Sequence, residues 1–220
     1  MFRARFLVLS LVLFAGASSG QSAIDVGREI VHKYGYVLYS QRWDDPPVID
    51  VCWENLNDSK PEDRALVQQA VMTSWGNKNY SKVVFQGWGG CEGPPSGIRV
   101  SVRDETPQTL KLGRKLDGRP RGLTLNFAMV RWRPISCPRG RNVCVEAIAI
   151  HEFGHALGFS HEQNRPDRPD WCKEAPQGAD GDFFATAFDG NSIMNYCNKN
   201  WTGQGGLSKL DKEALRKVYS

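Results

Sequence analysis

Apolar residues fall along this 220-residue chain in two rhythms, and the rhythms divide it into strands and helices. Ile98, Val100 and Val102 alternate with Arg99, Ser101 and Arg103, the two-residue period of a strand with one buried face. Val48 to Trp53, Val83 to Gln86 and Leu123 to Phe127 are predicted as further strands. Leu66, Val67, Ala70, Val71, Ser74 and Trp75 instead share one helical face. Ser59-Lys60-Pro61-Glu62 reads as a capping box with proline in the first turn, and Gly76 as the stop. A second helix is predicted from about Val143 to Leu157, packed through Val145, Ile148, Ala149, Ala156 and Leu157. Ser208-Lys209-Leu210-Asp211 opens a last helix running to Tyr219. The element list alone indicates an α+β protein.

The first residues stand apart from that pattern. Arg3 and Arg5 precede the apolar run Phe6 to Ala15, and small residues follow to Gly20. A charged start, a short apolar core and a small-residue exit predict a secretory signal peptide over 1–20. The run is too short to span a membrane, and no later stretch is apolar enough, so a soluble, secreted, extracellular protein is expected. Residues 21–45 form an N-terminal lead-in that would serve as a short pro-segment, and 46–220 would form one catalytic-sized domain.

Six cysteines agree with export, because an even number in an oxidising compartment implies bridges. Sequence alone does not choose among the connectivities; the expected pairing is Cys52–Cys91, Cys137–Cys144 and Cys172–Cys197. Formal net charge is +4, but eleven Lys or Arg fall between Arg99 and Arg141 against Asp104, Glu105 and Asp117. That stretch is either a contact surface for an anionic partner or a solvated face compensated by acids elsewhere. No aromatic interleaving or nucleic-acid motif accompanies it, so nucleic acid is not an expected partner.

The chemistry concentrates in His151-Glu152-Phe153-Gly154-His155-Ala156-Leu157-Gly158-Phe159-Ser160-His161, of the form H-E-x-x-H-x-x-G-x-x-H. His151 and His155 are one helical turn apart, on one face, and can share a metal ion. Glu152 follows the first ligand, where it can take a proton from metal-held water without binding the metal. Gly158 lets the chain leave the helix at positive φ, which would return His161 as a third ligand and leave a fourth position for water. The bland alternative, ordinary helix histidines, must explain why three of the four histidines fall on this motif. The remaining one, His32, has no partner nearby in sequence.

The motif continues as His161-Glu162-Gln163-Asn164-Arg165-Pro166-Asp167-Arg168, and Ser192-Ile193-Met194-Asn195-Tyr196 follows about thirty residues on. The first resembles the H-E-Q-x-R-x-D-R run of the astacin family of metzincins. The second resembles that family's Met-turn, with Asn195 where the family usually has histidine. The related matrixins are the second resemblance, through His151 to Leu157. The resemblance implies a metzincin-type zincin domain: a twisted mixed sheet, an active-site helix, and a loop-rich C-terminal half closed by a helix.

It further implies one catalytic Zn2+ held by His151, His155 and His161, with Glu152 as general base and acid. Tyr196 would be a further ligand at rest and an oxyanion donor during turnover, and Met194 a floor beneath the ligands. Glu162 would hold a processed N-terminus through water, or else pair with Arg165. Leu123 to Phe127 would be the edge strand along which a protein or peptide substrate lies. The function implied is a secreted zinc-dependent endopeptidase, expected to be monomeric and without membrane partners. The alternative is a non-catalytic secreted binding module that uses the basic 99–141 stretch.

Overall fold

Residues 36–131, 137, 139–200 and 206–220 are described by a computed structural model of the chain. The expected signal peptide, the lead-in up to residue 35 and His32 lie outside the described residues.

Strands β1 (Tyr36–Val37) and β2 (Val48–Trp53) are followed by helix α1 (Pro61–Thr73). Next come β3 (Val84–Gly90), β4 (Ile98–Val102), β5 (Gln108–Thr109) and β6 (Leu123–Leu125). Helix α2 (Arg141–Ala156), β7 (Phe183–Phe184) and helix α3 (Lys209–Tyr219) complete the chain. Five strands form one sheet in the order β3-β2-β4-β6-β5; β1 and β7 form a separate antiparallel pair. Within the large sheet β3, β2, β4 and β6 run parallel, while β5 runs antiparallel to β6 at its edge. This is the α+β arrangement expected, a mixed sheet with helices against it.

The core lies between the sheet and the two helices α1 and α2. Val67, Ala70 and Val71 of α1 are buried, and Trp75, just beyond it, is fully buried with its indole N–H donated to Ile150 O of α2 at 2.7 Å. Phe153 of α2 meets the sheet, stacked on Trp88 at 5.7 Å and edge-on to Phe85 at 5.6 Å. From Ala147 to Ala156 every residue of α2 is buried, so the helix is enclosed rather than amphipathic.

Two local expectations need correction. The Ser59–Glu62 capping box does not form: Lys60 is the N-cap, and no side chain caps the helix. Ser59 instead accepts Arg64 Nη1 at 3.0 Å, beside a preceding turn over Leu56–Asp58, while Pro61 does occupy the first turn. Strand β4 does not alternate between buried and solvated faces, since Ser101 is 1% exposed and Val102 is 7%. It lies between β2 and β6, and Arg103 folds back to donate Nε to Ser101 Oγ at 3.1 Å. All three expected disulfides are present: Cys52–Cys91, Cys137–Cys144 and Cys172–Cys197.

Candidate metal centre

Helix α2 is long enough to carry Glu152, His151 and His155 in its last turns and ends in a glycine stop. Gly158 has φ +98°, its N–H bonds His155 O at 2.9 Å, and Phe159 N–H bonds Gly154 O at 2.9 Å. This paired closure is the Schellman arrangement that a left-handed glycine permits. The next exposed carbonyls are taken by side chains, Ala156 O by Trp43 Nε1 at 2.7 Å and Leu157 O by Tyr219 Oη at 2.7 Å. The chain then turns back so that His161 faces the helix.

The three imidazoles converge through one nitrogen each. His161 Nε2 lies 3.1 Å from His151 Nε2 and 3.1 Å from His155 Nε2, and all three ligand atoms are within 4.8 Å of one another. The opposite nitrogens are all engaged with main-chain carbonyls: His151 Nδ1 with Ile193 O at 2.8 Å, His155 with Phe159 O at 2.7 Å, His161 with Gln177 O at 2.9 Å. A carbonyl accepts only from N–H, so each ring is fixed with its proton on Nδ1 and its lone pair on Nε2. Burial, and then the charge of His161, push His151 down to about 3; His155 and His161 are lowered too, mainly by burial. Three neutral nitrogen donors aimed at one point form a donor set that fits zinc.

Met194, 1% exposed, lies against α2 at Gly154. A Cβ on Gly154 would come within 2.5 Å of Met194 Sδ and 2.9 Å of the Trp75 ring, so the second variable position of the motif has no room for a side chain. The turn carrying Met194 is held from α3. Asp211 accepts Ser192 Oγ at 2.6 Å and Ile193 N–H at 3.1 Å, and also forms the capping box with Ser208. The sequence places the opening of the last helix at Ser208 but shows neither this capping box nor the grip on the turn carrying Met194, which joins residues 19 apart and leaves no local pattern.

Glu152 is 5% exposed, and burial pushes its carboxyl up to about 8, opposed by a hydrogen bond from Thr109. Tyr196 is 41% exposed, its ring stacked on His151 at 5.3 Å and its hydroxyl 3.4 Å from His151 Nε2. Burial, then the charge of Glu152, raise the phenol above its ordinary value, so it stays a donor. Asn195, which stands in the place usually held by histidine, donates Nδ2 to Asp189 O at 2.9 Å. Glu162 Oε2 accepts Asp189 N–H at 2.8 Å and lies 3.7 Å from Arg165 Nε. Arg165 is fully buried and pairs in two-pronged fashion with Asp167, at 2.9 and 2.8 Å.

The sheet edge beside this centre is not the one read from the sequence. Leu123 and Thr124 of β6 pair with β4 on one side and with β5 on the other. The free edge is therefore β5, Gln108–Thr109, and Thr109 lies against Glu152. A two-residue strand of glutamine and threonine has no periodicity to detect, whereas Leu123, Leu125 and Phe127 stand out in the sequence because they are buried in the interior.

Residues 136–177, the stretch that includes the histidine motif, match the model of the astacin peptidase family. The likeness is to astacins. Zinc metalloproteinase nas-30 of Caenorhabditis elegans is 35% identical over 71 residues, covering 26% of this chain and 10% of that protein. Zinc metalloproteinase nas-15 of the same organism is 30% identical over 109 residues, covering 34% and 19%. The chain thus spans under a fifth of the length of these curated relatives. Among solved structures, myroilysin superposes with TM-score 0.59 at 22% identity, covering 84% of this chain and 98% of that one. High choriolytic enzyme 1, a hatching enzyme zinc-protease from the medaka fish Oryzias latipes, gives TM-score 0.52 at 22% identity, covering 81% and 94%. At that identity the structures show the shared fold.

Proposed function

We propose that this chain is a secreted zinc-dependent endopeptidase that hydrolyses internal peptide bonds of proteins. The observation that supports it most is the convergence of three tautomer-fixed Nε2 atoms beside a buried carboxylate and a free sheet edge. His151, His155 and His161 would hold the ion. When bound, zinc supplies Lewis acidity, acidifying a water and polarising the carbonyl to be attacked. Glu152 holds the proton removed from the nucleophilic water and passes it to the leaving amine. Tyr196 donates its hydroxyl to the carbonyl oxygen as negative charge gathers there. An extended peptide is placed along β5, where unpaired backbone groups can add a strand.

The reading draws on the similarity to zinc metalloproteinases over the motif, and the three disulfides suit an oxidising compartment. Four arginines of the basic stretch pair with acids, three of which come from outside it: Asp44, Glu54 and Asp63. That pairing compensates part of the charge on which the binding-module alternative would depend.

The test is digestion of casein by purified processed protein. Cleavage should stop with a chelator and return with zinc. Glu152→Ala should keep its zinc and lose roughly a hundred- to ten-thousandfold in turnover, the usual range for a general base. Cleavage indifferent to the chelator would overturn the proposal.

A further inference from the structure

Thr109 is separated from Glu152 by 43 residues, and no motif points to it. Its hydroxyl lies 2.8 Å from Glu152 Oε2 and 3.0 Å from the main-chain oxygen of the same residue. Among the described residues it is the one side chain that hydrogen bonds this buried carboxyl. A hydroxyl has one proton and two lone pairs. It can therefore donate to the carboxylate, or accept from the carboxylic acid while turning its own proton to the main-chain oxygen. Either way the carboxyl keeps its place through a proton-transfer cycle.

Gln108 lies opposite Thr124, Thr109 opposite Leu123, and Leu110 N–H bonds Gly122 O at 2.9 Å. In an antiparallel ladder hydrogen-bonded and non-bonded pairs alternate. Gln108 and Leu110 thus face β6, and the N–H and C=O of Thr109 face the free edge. We infer that Thr109 is the positioning residue for Glu152, standing on the strand along which the proposed peptide substrate lies. This inference rests on the endopeptidase reading above.

The test compares Thr109→Val, which keeps shape and loses the hydroxyl, with Thr109→Ser, which keeps the hydroxyl. Each is assayed in the zinc-loaded protein for kcat and KM on a casein-derived peptide, for zinc affinity by chelator competition, and for thermal midpoint. Thr109→Val should lower kcat roughly ten- to a hundredfold, as expected for a hydrogen bond to a charged group, with KM changing far less. Zinc affinity and midpoint should stay near wild type, and Thr109→Ser should recover most of kcat. Combined with Glu152→Ala, Thr109→Val should add no further loss. Wild-type kcat in Thr109→Val, no recovery in Thr109→Ser, or a further loss in the double variant would overturn the inference while leaving the endopeptidase reading intact. Should Thr109→Val not fold, the comparison of Thr109→Ser with Thr109→Ala decides on the same criteria. A wild-type protein without chelator-sensitive cleavage overturns the endopeptidase reading first, and this inference with it.

Discussion

Each histidine of the centre has two neighbours that matter, the point it faces and the carbonyl behind it. The carbonyls of Ile193, Phe159 and Gln177 fix the tautomers, and they come from three separate stretches of chain. Tyr196 differs from these histidines in being half exposed, with its ring against His151 and His161. Tyr196→Phe keeps that packing and removes one oxygen. Turnover should fall about a hundred- to a thousandfold, the usual cost of one oxyanion donor, with zinc retained and KM little changed. Steady-state kinetics beside metal analysis checks this; near-normal turnover would leave Tyr196 a packing residue.

At the scale of elements, the centre is a joint between α2, the Met-turn and α3. Gly154 shows how tight the joint is. Alanine in a helix is ordinarily favoured over glycine by about 1 kcal/mol. Here its methyl group would meet Met194 and Trp75, and overpacking of this kind costs about 1–3 kcal/mol. Gly154→Ala should therefore lower the denaturant midpoint and weaken zinc binding, because Ile193 beside Met194 anchors His151. A midpoint above wild type would show that the floor yields.

The Cys172–Cys197 bridge ties the loop below the helix to the residue after Tyr196. Opening this bridge alone, with serine at both positions, should lower activity while the fold survives, since the sheet and α2 lie outside this tether whereas Cys52–Cys91 and Cys137–Cys144 reach into them. Activity and circular dichroism of the Cys172→Ser, Cys197→Ser variant distinguish the two losses; wild-type activity, or loss of the fold with the activity, would remove the idea. The aspartates of this loop also have structural work. Asp182 accepts the N–H of Tyr39 and of Ser40, Asp167 pairs with Arg165, and Asp189 accepts Asn191 N–H.

Across the whole molecule, the start of the described chain is part of the metal centre's support. Tyr36 and Val37 pair with Phe184 and Phe183 of β7, and Val37 bridges to Phe159. Ser160 N–H bonds Tyr36 O, and Leu38 N–H bonds Gly158 O. This strap holds the residues between His155 and His161. Any activating cut should therefore fall before Tyr36, and N-terminal sequencing of active material should find its start there. Active protein beginning at Ser40 or later would show the strap to be dispensable. No helix among the described residues is long and apolar enough to cross a membrane.

Spacing along the chain was sufficient for whatever depends on neighbours within a few residues. The turn of helix between His151 and His155, the left-handed glycine at 158, the opening of the last helix after Ser208 and the limits of β2 and β4 all follow from local geometry. The tertiary structure decided what depends on contacts between distant segments. It set β5 rather than β6 at the free edge, because edge position is a matter of which strand lacks a second partner. It brought Thr109 to Glu152, Asp211 to the Met-turn and three carbonyls to three imidazoles. Hydrogen bonds of that kind are satisfied only when the chain packs, and a linear pattern of apolar and polar residues contains no record of which partner will arrive.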